Sequence, residues 1–185
     1  EINSSTWVYT QGAFAQATDN DADCIILHLN TYGGEVLYAD SIRTKILNSP
    51  IPVYAFIDNN AASAGALISM ACDSVYMRPG GSIGAATVVN GIDGSKMPDK
   101  YQSYMRSTMR ATAESHGRDE QGRWHRDPLL AEAMVDEDVV IPGVVDSGKI
   151  LTLTTEEAMH LRLCEGKASS IDEVANIVCG NDYVI

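Results

Sequence analysis

Basic residues are scarce in this 185-residue chain: thirteen Lys plus Arg face 25 Asp plus Glu, giving a net charge of -12 and a pI near 4.5. Such a surface repels phosphate backbones and anionic membrane surfaces, so nucleic-acid binding is not expected. Long apolar runs are missing too. Cys24 to Leu29 and Ala61 to Ala71 are too short or too interrupted to span a bilayer, and no secretory leader stands at Glu1, so the chain as given reads as soluble. No repeat or low-complexity block occurs. The four cysteines, at 24, 72, 164 and 179, form no Cys-x-x-Cys pair and have no histidine at ligand spacing beside them, so neither a metal nor a cofactor is expected. Cys24 and Cys72 lie in apolar stretches and read as small buried hydrophobes.

What is present suffices for a core: 45% of residues are apolar and 21% charged, which fits a single domain over 1–185 and excludes a disordered tail. Strand-like and helix-like patterns alternate, the signature of an α/β domain with a mainly parallel sheet. Thr6 to Asn20 suits a helix, Cys24 to Asn30 a buried strand, and Val36 to Leu47 a second helix stopped at Ser49-Pro50-Ile51-Pro52. Val53 to Ile57 reads as a strand, Asp58-Asn-Asn60 as a turn, and Ala62 to Ala71 as a short helix of very small residues. Ser74 to Met77 and Ser82 to Ala85 are further extended pieces. Gly91 to Pro98 is a polar loop, Lys100 to His116 a long helix, residues 118–127 a mobile polar loop, and Pro128 to Asp136 another helix. Thr154-x-x-Glu157 and Ser170-x-x-Glu173 are capping-box candidates that announce two C-terminal helices.

The chemistry concentrates beyond the carboxyl ends of the first two strands, where open parallel sheets collect ligands. Gly33-Gly34 lies between a strand and a helix, where missing side chains let backbone N–H groups face a ligand oxygen. Ala61-Ala-Ser-Ala-Gly-Ala66 puts one hydroxyl, Ser63, among residues with almost no side chain. The Ala64 N–H and the Gly34 N–H are candidates for one oxyanion hole. An ordinary N-cap serine fits the same pattern.

A serine nucleophile needs a base. None of the four histidines is placed for it: His28 reads as a strand residue with a satisfied hydrogen bond, and His116, His125 and His160 as solvated surface residues. Lysine serves when burial disfavours its ammonium form. Of the five lysines, Lys45 faces away from the glycine turn, and Lys149 and Lys167 lie in late polar turns. Lys96 and Lys100 remain, and Lys100 is preferred because an element terminus positions a side chain better than mid-loop.

The segments Leu29-Asn-Thr-Tyr-Gly-Gly-Glu35, Asn60-Ala-Ala-Ser-Ala-Gly-Ala66 and Gly81-Ser-Ile-Gly84 together resemble the Clp-protease/crotonase superfold. Within it they resemble the membrane-associated serine proteases of the NfeD family, relatives of signal peptide peptidase A. The resemblance implies a spiral of ββα units and a Ser-Lys endopeptidase with Ser63 as nucleophile and Lys100 as general base. It further implies oxyanion donors at Gly34 and Ala64, and substrate contacts at Tyr32, Gly33 and Gly84. Soluble Clp-type subunits use a histidine shortly after the serine, and no histidine lies between Ser63 and His116, which favours the lysine variant. Tyr32 replaces the usual proline of the family turn and offers a ring at the substrate groove. Some relatives carry the lysine at the place of Arg110, and arginine cannot act as a base.

On the same resemblance the chain is expected to be a protease domain excised from a longer, membrane-anchored parent, facing the non-cytoplasmic side and assembling as a dimer or higher homo-oligomer. Its expected substrate is a peptide or membrane protein, cut in an apolar segment; membrane attachment would come only through segments outside this chain. Two other readings use the same fold. One is an acyl-CoA enzyme with the enolate held by Gly34 and Ala64, which the acidic balance disfavours. The other is a non-catalytic scaffold for membrane partners.

Overall fold

Ten residues of extended backbone organise the molecule, whose computed structural model describes residues 1–181 and 183–184. In chain order the elements are α1 (Ser4–Asp19), β1 (Ile25–Thr31), α2 (Val36–Leu47), β2 (Val53–Ala62), α3 (Ala64–Ala71), β3 (Ser74–Met77) and β4 (Ser82–Gly84). They continue with α4 (Asp99–Glu114), α5 (Pro128–Ala133), β5 (Thr152–Thr154), α6 (Thr155–His160), β6 (Gly166–Lys167) and α7 (Ile171–Cys179). The long strand is β2. It pairs in parallel with β1 along one edge; on the other, Tyr54–Ile57 pair with β3 and Asn60–Ala62 with β4. β6 extends the sheet beyond β3 in parallel, and β5 closes on β4 as the single antiparallel pair among the described strands. The α/β class and mainly parallel sheet expected from the sequence are both observed.

The helix α3 packs closely because it is made of small residues: all eight of its positions are buried, and a Cβ at Gly65 would stand 2.7 Å from Thr31 Cγ2 of β1. α4 buries Gln102, Met105, Met109, Thr112 and Ala113, the three-and-four spacing of one helical face. The main core gathers Ile42, Ile57, Leu67, Met77, Ile83, Met109, Met134 and Leu153. A second, smaller cluster lies on the opposite sheet face, where α7 covers Phe56 and Tyr76 with Val174. Thr154 caps α6 in a complete capping box with Glu157. Ser170 likewise accepts from Glu173 N–H at the start of α7, while the Glu173 carboxylate reaches the N–H of Ser169. Among the described residues no helix is long and apolar enough to cross a membrane.

Four expectations change. Asp58-Asn-Asn60 is strand, not turn, because these polar residues find partners on the ladder: Asp58 takes His28 and Arg78, and Asn60 Oδ1 accepts from Ser82 Oγ at 3.1 Å. Residues 118–127 form a pinned turn: Asp119 accepts from Arg123 and Arg162, Arg118 lies over the Trp124 ring, and Arg126 is only 2% exposed. His116 is not a surface residue; its Nε2 donates to Met70 O at 2.7 Å, and burial, reinforced by Arg126, holds its pKa below the ordinary value. Cys72 is buried as expected, but Cys24 is only partly so and meets Cys179, sulfur to sulfur, at 3.0 Å.

Candidate active site

Between the last residue of β2 and the first of α3 stands a single residue, Ser63, with φ 54° and ψ -116°. A positive φ is costly for any residue with a Cβ, on the order of 1–3 kcal/mol, and persists where the surroundings impose it. Here they do: Ser63 N–H donates to Gly84 O at 2.9 Å, and Ser63 O accepts from Ala66 N–H at 2.9 Å and Leu67 N–H at 3.3 Å. The side chain does not cap the helix, and among the described residues Ser63 Oγ has no hydrogen-bond partner. The N-cap alternative therefore fails on geometry, and the strained turn lifts the hydroxyl out of the strand-to-helix corner.

Gly33 lies directly against it. A Cβ at Gly33 would be 2.8 Å from Ser63 Cβ and 3.2 Å from Ser63 Oγ, and the glycine holds φ 121°. The turn is built by Thr31, whose Oγ1 accepts from Gly33 N–H at 3.0 Å and donates to Gly33 O at 3.2 Å. The chain start then braces it: Ile2 N–H donates to Gly33 O at 2.9 Å and Glu35 N–H to Ile2 O at 2.8 Å, a parallel bridge to Gly34. This bridge uses the groups flanking Gly34 and leaves the Gly34 N–H on the side away from Ile2. Ile2 packs so closely that a Cβ at Gly34 would be 2.0 Å from its carbonyl oxygen. Among the described residues neither the Gly34 nor the Ala64 N–H donates to a protein acceptor.

Gly84, φ 141°, abuts β5 so that a Cβ would stand 2.4 Å from Leu151 O. Beyond it Ala85 also has a positive φ, 50°, with its N–H on Leu151 O at 3.0 Å. The segment that follows is an ordered arm. Gln102, buried on α4, accepts from Val88 N–H at 2.9 Å and donates to Val88 O at 2.7 Å and Met97 O at 3.0 Å. Val89 and Lys96 form an antiparallel bridge below this clamp.

Of the residues singled out in the sequence, the structure brings Gly33, Ser63, Ala64 and Gly84 together around one point, with Gly34 next in the turn. Tyr32 is 83% exposed at the lip of that turn. Lys100 is not joined to Ser63 by any hydrogen bond among the described residues. It is exposed on the first turn of α4, off the stripe of Gln102, Met105 and Met109, with Nζ 4.9 Å from the Tyr101 ring centroid. Lys96 pairs with Glu137 at 2.8 Å, and Arg110 is held by Glu132 of α5. His28, as expected, has a satisfied bond, to Asp58 at 3.1 Å. The sequence reading overlooked Gln102, Ala85 and Thr31; the one legible signal was a lone amide at position 102 on the apolar stripe of α4.

The chain that carries this half-buried hydroxyl is similar to known proteins. A membrane protein, NfeD1b of Bacillus subtilis (strain 168), is 38% identical over 156 residues, covering 84% of this chain and 34% of that protein. The membrane-bound protease PH1510 of Pyrococcus horikoshii is 29% identical over 181 residues, covering 94% of this chain and 36% of that protein. The chain thus spans about a third of the length of the curated relatives it matches.

Among solved structures, 1510-N, a membrane-bound stomatin-specific protease, superposes with a TM-score of 0.78 at 27% identity. That structure is a lysine-to-alanine mutant in complex with a substrate peptide, and the match covers 95% of this chain and 74% of that one. A serine-to-alanine mutant of 1510-N gives 0.77 at 26% identity, over 95% and 78% of the two chains. ClpP1 from Listeria monocytogenes, at 18% identity, gives 0.64 over 92% and 88% and establishes the Clp-protease fold. The family signature described as NfeD1b, N-terminal domain, matches residues 1–183, and the chain belongs to that family.

Proposed function

We propose that the chain is a serine endopeptidase domain acting through Ser63 and Lys100, with Gly34 and Ala64 N–H groups as the oxyanion hole. The observation that carries this reading is Ser63 itself: a strained φ of 54°, no hydrogen-bond partner on Oγ among the described residues, and Gly33 packed against it. In the reaction Ser63 Oγ attacks the scissile carbonyl carbon while its proton passes to the Lys100 amine. The carbonyl oxygen gains negative charge between the two amides, aided by the N-terminus of α3. Collapse breaks the C–N bond, the Lys100 ammonium returns its proton to the leaving amine, and water then releases the acyl group.

Lys100 enters this scheme from an exposed position, so the arm over 87–99 and α4 must shift when substrate fills the groove. Covering the amine with apolar substrate then favours its neutral form. The mutated serine and lysine of 1510-N support the pair by analogy. The substrate proposed is an apolar segment of a membrane-associated protein, lying along Gly33 and Gly84 with Tyr32 at the lip. We further assign the domain to the extracytoplasmic side of a membrane-anchored parent, working as a homo-oligomer. Cleavage of an apolar peptide should vanish in Ser63→Ala and fall on the order of 10²–10⁴-fold in Lys100→Ala. Cleavage retained by purified Ser63→Ala overturns the proposal.

One observation favours a second reading, a non-catalytic scaffold: among the described residues Lys100 makes no hydrogen bond to Ser63 and its Nζ instead lies over the Tyr101 ring. That reading predicts unaltered partner binding and no turnover in both the wild type and Ser63→Ala.

A further inference from the structure

Far from Ser63, on the sheet face opposite the main core, α7 is fastened at its two ends by different chemistry. Cys24 immediately precedes β1, and Ile26 and His28 follow it on one face; in register beside Ile26 and His28 stand Tyr54 and Phe56 of β2, with Asp58 two residues further along that strand. α7 crosses this face on Ile171, Val174 and Val178, an apolar stripe with few members. At its start Arg78 donates to Ser169 O at 2.9 Å and pairs with Asp58 at 2.6 Å, and Asp58 also holds His28. At its end Cys179, the last helical residue, meets Cys24 with 3.0 Å between the sulfurs.

We infer that Cys24 and Cys179 are a disulfide-forming pair, a reversible covalent staple that ties the end of α7 to the start of β1. Two thiols brought together across 155 residues of chain, closer than ordinary sulfur contact, need a movement of less than about 1 Å to reach the bonded separation of about 2.05 Å. Access is unequal. Cys179 is exposed, whereas Cys24 is partly buried and its thiol is pushed up to about 12 by burial and by Cys179 beside it. Exchange therefore starts at Cys179. Its thiolate attacks a small-molecule disulfide or a disulfide-bearing oxidoreductase, forming a mixed disulfide and expelling one thiol. Cys24, deprotonated, then attacks the Cys179 sulfur and expels the second thiol. Two protein thiols and one external disulfide become one protein disulfide and two external thiols. The remaining cysteines serve as internal controls: Cys72 and Cys164 are buried, their thiols pushed up to about 12 and about 11 by that burial. This inference stands independently of the protease reading.

The test is incubation of the folded protein with oxidised glutathione, followed by thiol counting after denaturation and by peptide mapping. We expect free thiols to fall from four to two, a Cys24–Cys179 cross-linked peptide, and reversal by dithiothreitol. The melting temperature should rise by several degrees on oxidation, because the closed loop restricts the unfolded chain. Cys24→Ser and Cys179→Ser should each abolish the cross-link and the shift; using both guards against one of them folding poorly. Four free thiols after oxidation, or separate glutathione adducts without a cross-link, would overturn the inference.

Discussion

Gly33 and Ser63 are in backbone-to-side-chain contact: the space where a Gly33 Cβ would be lies 2.8 Å from Ser63 Cβ. Gly33→Ala therefore meets two obstacles, that collision and a φ of 121° that L residues rarely adopt. We expect it to destabilise by roughly 1–3 kcal/mol and to abolish labelling of Ser63 by a serine-reactive probe. Urea denaturation and probe labelling measure the two effects separately. Labelling at the wild-type rate would mean that the turn does not shape the surroundings of Ser63.

A second prediction concerns the arm. Gln102 satisfies the N–H and C=O of Val88 and the C=O of Met97, all from one buried side chain. Gln102→Ala strands these groups at a cost of roughly 1–3 kcal/mol. Hydrogen exchange at Val88 should accelerate much more than in β2, which marks local rather than global loosening.

Acid sensitivity has an identifiable source in His116. Burial is the chief cause of its lowered pKa, and Arg126 adds to it. The folded state therefore prefers the neutral ring, so its contribution is complete above the unfolded value of about 6.5 and is lost as pH falls through the lower folded value. Stability should decline on acidification below about pH 6.5, with a slope of at most about 1.4 kcal/mol per pH unit for this one proton. Asp119, held at about 2 by its bonds to Arg123 and Arg162 against the opposing effect of desolvation, adds its own loss only at much lower pH. Denaturation midpoints at pH 7 and pH 5.5 should converge in His116→Gln and separate in wild type. Equal midpoints in wild type would show that the ring carries no linked proton.

Arg126 should be a stability residue of a particular kind. Its guanidinium donates to Cys72 O at 3.2 Å and Leu163 O at 3.1 Å, faces Glu165 at 3.5 Å, and leaves Nε without a hydrogen-bond partner among the described residues. Arg126→Ala loses volume and bonds together, and we expect a cost of roughly 3–5 kcal/mol. Arg126→Met keeps most of the volume without a buried charge and should cost distinctly less. Thermal unfolding of the two variants decides it; equal losses would mean that the hydrogen bonds, not the filled space, carry the role.

These residues also mark what was legible beforehand. β1, α2, α3 and β3 announce themselves as apolar runs punctuated by Gly33-Gly34, Pro50 and Pro52, and the small-residue block around Ser63 exposes its candidate nucleophile. The extension of β2 through Asp58, Asn59 and Asn60 was hidden because these are turn formers, and the partners that hold the stretch extended, His28 and Arg78 for Asp58 and Ser82 of β4 for Asn60, are distant in sequence. The inward placement of His116 and Arg126 was hidden for another reason: their partners, Met70 O and Cys72 O, are backbone atoms 46 and 54 positions away. Ser63's positive φ follows from Gly84 O holding its N–H, a tertiary contact with no local code. The approach of Cys24 to Cys179 depends on where α7 lands on the sheet, which no spacing rule gives.

The most direct test of the account is reaction of the protein with a fluorophosphonate probe in the presence of an apolar peptide, read by mass spectrometry of the adduct. The account predicts a single adduct on Ser63, none in Ser63→Ala, and labelling slowed on the order of 10²-fold or more in Lys100→Ala. Labelling of Lys100→Ala at the wild-type rate, or an adduct on any residue other than Ser63, would contradict it.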